Sequence, residues 1–377
     1  MSKLSIEGLI EGLNESLEKA GGNMVSPPNV LSASVLLELT GESVRGRLCS
    51  FQGPDGEEYC LRPDMTAPIA LEIAKGAYKA ASYRYSGPVF RFPRADTQDS
   101  VEFDQCGFEW FGGASKPSVD AEGMALALEA VAAQGLSNGE LYFGDVSLFA
   151  AFIDGLNLDP AWTERLKKAF NRKFGPRELI EKGGKARVRS PLAQALSTLS
   201  EDEATAAVEE VLAVSGITLV GGRTTDDIAG RLRSMSVNAT TDEVPEHAAK
   251  AILSFLDVDT SALKAESELS KVAKSAGVDL SQALEGFGAR QTELEALKPP
   301  MLKGARFAAE YGRRFDYYTG LVFEVSHSEL SKGGPIASGG RCDALVGMLS
   351  SGKIEANAFG VAIRPDRLLA AIEKEQA

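Results

Sequence analysis

Strands punctuated by glycine stand at both ends of this chain, and the stretch between them is written in alanine, leucine and glutamate at helical spacing. Residues 81–92 and 103–111 read as two strands joined by the polar loop 93–100, an antiparallel centre for the first half. The same texture returns from Gly304, through Ser338-Gly339-Gly340-Arg341, and closes with a strand and helix over 358–374. Between them, 118–136 is alanine-rich and helical, 140–144 is a short strand, and 146 to about 297 keeps helical periodicity. The pattern predicts an α+β fold whose sheet is assembled from the two chain ends, 1–125 and 304–377, with 126–303 as an inserted, mainly helical region.

The first half can be read in more detail. Leu4, Ile6, Leu9, Ile10, Leu13 and Leu17 recur at helical spacing until Gly21-Gly22, which ends the helix. Pro27 and Pro28 then force an extended crossing. A turn at 53–56 precedes a strand at 58–63, and 66–79 reads as a helix that Asp64 or Thr66 is available to cap.

Composition narrows the function classes. With 377 residues, 44% of them hydrophobic, the chain has ample core for two or three domains. Its 40 basic against 53 acidic residues give a net charge of -13, which opposes nucleic-acid binding unless a basic patch is segregated. The most basic stretch, 165–189, alternates with acids and apolar residues, and is the sole candidate anionic contact. Four cysteines without a CxxC pair and two histidines make a zinc site unexpected, and no metal or cofactor is implied. The cysteines are expected as free thiols, Cys106 and Cys342 in small apolar roles, and His247 and His327 as surface residues. No leader or membrane-length run is seen, so a cytoplasmic protein with no membrane contact is expected.

Four segments carry chemistry. In Arg62-Pro63-Asp64-Met65-Thr66 an acid and a hydroxyl sit on a strand-to-helix turn, suited either to gripping an ammonium group or to capping the helix. Phe90-Arg91-Phe92 ends a strand with a guanidinium, suited to a carboxylate or phosphate oxygen, or to a cross-strand ion pair. In Phe103-Asp104-Gln105-Cys106-Gly107-Phe108-Glu109, alternation puts Gln105, Gly107 and Glu109 on one face. Burying that face is costly unless a polar ligand occupies it. Finally, Arg313-Arg314-Phe315-Asp316-Tyr317-Tyr318 leads into the apolar run 321–325. It reads as a strand start whose phenols wall a pocket or cover the core edge.

Together these segments resemble class II aminoacyl-tRNA synthetases and, within them, the histidyl enzymes. Phe90-Arg91 with 103–109 looks like motif 2 and its return strand, and Ala358-Phe359-Gly360-Val361-Ala362-Ile363-Arg364-Pro365-Asp366-Arg367 looks like motif 3. Pro27 or Pro28 matches the motif 1 proline, and 61–67 and 313–318 resemble the two histidine-pocket stretches. Gly339-Gly340-Arg341-Cys342-Asp343 resembles a neighbouring glycine turn. The resemblance covers roughly 1–125 and 304–374. It implies an antiparallel sheet flanked by helices, with Asp64 and Thr66 on a histidine ammonium, Gln105 and Glu109 flanking the ligand, and Tyr317 and Tyr318 lining the imidazole. Arg91 would meet the carboxylate or an attached phosphate, and Arg313 and Arg367 would be anion-binding.

Departures from the synthetase pattern redirect the reading. Pro93 stands where motif 2 carries the glutamate that reads adenine, and Asp99-Ser100-Val101-Glu102 makes acidic a loop that is normally basic. Only 370–377 follow Leu369, far short of an anticodon-binding domain. A histidine pocket without these parts resembles the ATP phosphoribosyltransferase regulatory subunits of histidine biosynthesis. That resemblance implies a non-catalytic chain binding L-histidine as feedback effector, a short-form catalytic subunit as partner, and a homodimer through the Pro27-Pro28 region within a hetero-oligomer. The alternative is a histidine-activating, adenylating enzyme, supported by Arg91, Arg313 and Arg367 and opposed by Pro93 and the acidic loop.

Overall fold

The computed structural model describes residues 5–40, 42–93, 97, 99–113, 117–170, 175–181, 191–216, 224–226, 228–230, 232, 244–311, 317–330 and 334–377. The opening helix spans Ile6–Glu18, and Ser5 caps it by accepting the Gly8 amide at 3.1 Å. Leu9, Leu13 and Leu17 recur every fourth residue and are all buried, so one stripe of the helix is core.

The strands in chain order are β1 Asn23–Met24, β2 Val30–Ser32, β3 Ser50–Gln52, β4 Glu58–Leu61, β5 Ser82–Phe90, β6 Glu102–Phe111, β7 Glu140–Asp145, β8 Asp259–Ser261, β9 Arg306–Ala308, β10 Leu321–Ser326, β11 Ala337–Arg341 and β12 Ala358–Ile363. Among the described residues they form a nine-stranded sheet of order β1-β5-β6-β12-β11-β10-β7-β9-β8 and a small sheet β2-β4-β3. The large sheet is antiparallel apart from the β1–β5 and β7–β9 pairs. The expected β5–β6 hairpin is present, registered from Ser82 opposite Trp110 to Phe90 opposite Glu102. The sheet centre is therefore built from both chain ends, since β6 pairs with β12 and β12 with β11. β7, from the 126–303 stretch, lies in the same sheet between β10 and β9.

Alternation gives the sheet two different faces. Cys106 and Phe108 on β6, with Phe359, Val361 and Ile363 on β12, join the larger core under Leu9, Leu13, Met124 and Leu368 of the covering helices. The opposite face carries Tyr83, Tyr85, Phe103 and Phe111 into a second core with Ile69, Leu345 and Val346. On this second face the register lines up Tyr83, Glu109, Gly360, Gly340, Val322 and Gly144 across six strands. Beside it runs the row Tyr85, Gly107, Ala362, Ser338, Glu324 and Tyr142.

Three local expectations are corrected. Tyr317 and Tyr318 lie in a turn before β10, not on a strand, because ladder pairing begins only where Leu321 meets Asp145. Gly339-Gly340-Arg341 is strand β11 and not a turn. His327 is buried, not a surface residue: its Nε2 lies 3.5 Å from the Glu375 carboxylate, which also accepts the Ser137 and Asn138 amides. His247 is exposed, and Cys106 and Cys342 are buried.

Gly107 sits where no side chain fits, since a Cβ there would lie 2.2 Å from both the Tyr85 hydroxyl and the Val361 carbonyl oxygen. The Tyr85 hydroxyl donates to that carbonyl at 3.0 Å, so neither atom can yield without breaking a buried hydrogen bond. Gly107→Ala is therefore expected to cost about 1–3 kcal/mol, read as a lower urea midpoint at unchanged slope.

Candidate functional site

Asp64 is placed by its neighbour Arg62, which is 2% exposed. The Arg62 guanidinium donates to the Pro88 carbonyl at 2.8 Å and to the Pro27 carbonyl at 2.5 Å. Its own carbonyl accepts the Phe90 amide and its amide donates to the Asn29 carbonyl. The turn after β4 is thus stapled to β5 and to the proline crossing. Asp64 then caps the helix Thr66–Ala74, Oδ1 accepting the Ala67 amide at 2.9 Å. Its other oxygen, Oδ2, is buried with no hydrogen-bond partner among the described residues. The two readings of this segment, helix cap and ligand acid, are met by different oxygens of one carboxylate.

Glu109 is fully buried at the centre of β6. Its Oε1 accepts the Thr66 hydroxyl at 2.5 Å, which ties the helix start to the sheet, while Oε2 is buried and unpartnered among the described residues. Gln105, four residues earlier on the same face, likewise keeps Oε1 buried and unpartnered. Burial pushes the Asp64 carboxyl above its ordinary range, a rise opposed by the Ala67 amide and by the charge of nearby Arg91. Burial pushes Glu109 up further, opposed by the Thr66 hydroxyl and reinforced by the charge of Asp64. Three acceptor oxygens on this face, each costing about 1–3 kcal/mol when buried unpaired, have no donor among the described residues and would be satisfied by a ligand bearing N–H donors.

Aromatic rings and bare backbone complete the cavity. Tyr317 is buried and Tyr318 half-buried, their ring centroids 5.0 Å apart, so the turn sets the phenols side by side and not on opposite strand faces. Burial and the negative charges of Asp64 and Glu109 both raise the Tyr85 and Tyr317 phenols, which keeps them neutral donors beside the acids. The floor is glycine: a Cβ at Gly360 would lie 2.3 Å from Glu109 Oε2, and one at Gly340 would lie 2.9 Å from the Tyr318 ring.

A second cluster gathers around Phe103. The Arg91 guanidinium lies 5.0 Å from the centre of that ring and Arg364 lies 4.0 Å from it. Arg364 pairs with Asp366 at 2.5 Å and with Asp99 at 3.5 Å, while Arg367 reaches Asp99 at 3.6 Å and the Leu330 carbonyl at 3.0 Å. Asp99, from the acidic loop, thus meets two of the arginines, and burial depresses the basicity of Arg367. Arg313 lies outside the described residues. Of the basic 165–189 stretch, Lys167 pairs with Asp154, Lys168 with Glu164, and Arg177 with Asp257 and Glu310. Arg172, Lys173, Lys182, Lys185 and Arg187 are likewise outside the described residues.

The structure therefore brings Asp64, Thr66 and Glu109 together, with Gln105 on the same face of β6 and Tyr317 within electrostatic reach of both acids and of Tyr318, while the Arg91 charge acts on Asp64 and its guanidinium lies over the Phe103 ring. Sequence reasoning missed Tyr85, Arg62, Arg341 and Asp120. Tyr85 was open to discovery, because it alternates with Tyr83 and Gly87 on a strand already paired to β6. The Arg341–Asp120 pair, 221 residues apart, left no local signal.

The profile of the family described as histidyl-tRNA synthetase matches residues 3–220 and 227–368. An ATP phosphoribosyltransferase regulatory subunit from Brucella anthropi is 31% identical over 374 residues, 98% of each chain. One from Chelativorans sp. is 32% identical over 326 residues, 85% of each chain. A solved structure from Bacillus halodurans, described as an ATP phosphoribosyltransferase regulatory subunit/histidyl-tRNA synthetase, superposes with a TM-score of 0.64 at 21% identity, covering 99% of this chain and 81% of that one. Histidyl-tRNA synthetase from Nostoc sp. gives 0.62 at 17% identity over 98% and 72%. At these identities the structural likeness establishes the fold, an antiparallel class II sheet flanked by helices.

A raised carboxyl means the folded chain binds its proton more tightly than the unfolded chain does, so ionising Glu109 costs stability as pH rises above the ordinary glutamate value near 4.5. Glu109→Gln removes that cost. The stability of the Gln variant relative to wild type, measured by urea unfolding of ligand-free protein, is expected to increase steadily from pH 4.5 towards pH 8.

Proposed function

The chain belongs to the ATP phosphoribosyltransferase regulatory subunits within the histidyl-tRNA synthetase family, and from that premise we propose that it binds L-histidine between Asp64, Gln105 and Glu109 and thereby restrains a catalytic partner chain. One observation carries this reading: Asp64 Oδ2, Gln105 Oε1 and Glu109 Oε2 are buried acceptor oxygens with no hydrogen-bond partner among the described residues. An amino acid's ammonium group supplies donors and a positive charge for the Asp64 carboxylate, while Gln105 and Glu109 flank the rest of the ligand. Tyr317 and Tyr318 offer the apolar body and polar handles for a flat side-chain ring. Arg91, whose charge acts on Asp64, would meet the ligand carboxylate.

Catalysis belongs to the partner, a short-form phosphoribosyltransferase subunit, and this chain performs none. Pro93 supplies neither a carboxylate nor an amide hydrogen at the adenine-reading position, and Asp99 sets a negative charge between Arg364 and Arg367. Feedback inhibition then requires histidine to bind one assembly state better than the other, and a coupling of about 1–3 kcal/mol suffices. The chain acts as a homodimer in that assembly. Support comes from the outer face of the small sheet, where Val30 and Phe51 are 46% and 45% exposed and Phe51 stacks on Tyr59 at 6.2 Å. This apolar face follows directly on the Pro27-Pro28 crossing and is suited to cover by a second copy.

Titration calorimetry tests the pocket. L-histidine is expected to bind the wild-type chain, to inhibit a mixture with the short-form catalytic subunit, and to promote no ATP/pyrophosphate exchange. Asp64→Ala and Glu109→Ala are each expected to weaken binding by about 1–3 kcal/mol while leaving the fold intact. Histidine-dependent exchange would instead make the chain an adenylating enzyme, and normal binding by both variants would remove these acids from the site.

A further inference from the structure

Beneath the pocket runs a line of buried ions that no part of the histidine site uses directly. Arg341 at the end of β11 donates to Asp120 Oδ1 at 2.6 Å and to Asp343 Oδ1 at 2.8 Å. The other oxygen of Asp120 accepts from Arg290 at 3.2 Å, and Arg290 also donates to Asp145 Oδ2 at 2.5 Å. The side chains of Asp120, Asp145, Arg290 and Arg341 are all at least nine-tenths buried. Arg290 is carried by the helix Ser281–Leu297, whereas Asp120 belongs to the helix Pro117–Ala133.

The Arg341 end of this line sets the aromatic wall. The Arg341 carbonyl accepts the Thr319 amide at 2.8 Å, and the Asp343 amide donates to the Thr319 hydroxyl at 3.1 Å. Gly340, the residue before Arg341, lies so close to the Tyr318 ring that a methyl group would not fit between them. Asp343 also accepts the Ala358 amide, which joins the turn to β12 beside the glycine floor. A shift of Arg341 therefore moves the 317–320 turn. Arg341 is held by Asp120, and Asp120 is satisfied on both oxygens only while Arg290 stays in place. At the far end Asp145 caps the helix Val146–Gly155 through the Ser147 amide at 2.9 Å, and the Val146 amide donates to the Gly320 carbonyl at 3.0 Å, returning to the same turn.

We propose that Arg290 is a positioning residue for the histidine pocket, setting the Tyr317–Tyr318 wall through Asp120 and Arg341, so that pocket occupancy and the docking of the helix 281–297 are thermodynamically linked. The inference rests on the histidine reading of the site. Because linkage is reciprocal, a ligand that needs the wall in place must in turn hold the helix in place. The helix is then an element on which histidine acts at a distance, with no contact to the ligand.

The test uses the full chain. Arg290→Met combined with Asp145→Asn removes one charge of each sign, keeps Asp120 paired with Arg341, and leaves an Asn able to cap the helix after β7. In this folded double variant the Kd for L-histidine is expected to rise about tenfold. A purely structural role would lower the melting temperature and leave Kd unchanged well below it. In parallel, amide exchange over 281–297 is expected to slow on adding L-histidine to wild type and to lose that response in the double variant, with Arg290→Lys intermediate. A folded double variant with wild-type affinity and response overturns the inference while wild-type binding leaves the histidine site standing. Should the double variant fail to fold, an unchanged exchange rate over 281–297 in histidine-bound wild type overturns it alone. Wild type that binds no histidine removes both.

Discussion

Everything around this site follows from one costly placement, a glutamate at the middle of a central strand with one oxygen given no partner among the described residues. Burying Glu109 demands a donor on Oε1, and the hydroxyl of Thr66 supplies it from the start of a helix. Asp64 supports the start of that helix by accepting the Ala67 amide, and Asp64 is held by the Arg62 staple across Pro27 and Pro88. Space over Oε2 exists only because Gly360 is opposite Glu109 in the ladder. Each step is local and ordinary, and their sum is a buried face carrying acceptors whose polar demand exceeds what the described residues provide.

The same face of the sheet ends in a corner of opposite character. Phe103 lies between the guanidinium groups of Arg91 and Arg364, and Asp99 draws Arg364 and Arg367 toward itself. An acid from the chain stands where an anionic ligand would compete for the same arginines. One half of the face is thus short of donors and the other carries its own counter-charge, which separates the two halves chemically although Arg91 touches both.

The parts of this arrangement that were legible in the sequence are those governed by short-range rules. Period-two alternation on 103–109 places Gln105, Gly107 and Glu109 on one face, and the β5–β6 register bears that out. Helix capping at Asp64 follows from its position before an apolar helical run. The misreadings have a common cause in pairing partners that no local pattern reveals. Tyr317 and Tyr318 look like strand residues, yet the ladder starts at Leu321, where β7 supplies the neighbour. β7 itself is a short strand embedded in helical sequence, so its place inside the sheet is not visible from its own residues. Gly339-Gly340 reads as a turn, but Gly340, in a row flanked by Gly360 and Val322, leaves room under the Tyr318 ring for nothing but backbone. The Asp120–Arg290 pair spans 170 positions and His327 meets a carboxylate in the last turn of the chain's final helix, both invisible to any window of sequence.

The glycine floor has a consequence for how such a cavity can change over time. Gly340 and Gly360 present backbone alone, so no substitution at these two positions can deepen the space, and a Cβ at either would run into the Tyr318 ring or Glu109 Oε2. Selection for a bulkier occupant must act on the tyrosine wall or on the turn that carries it, and selection against any occupant at all is one methyl group away.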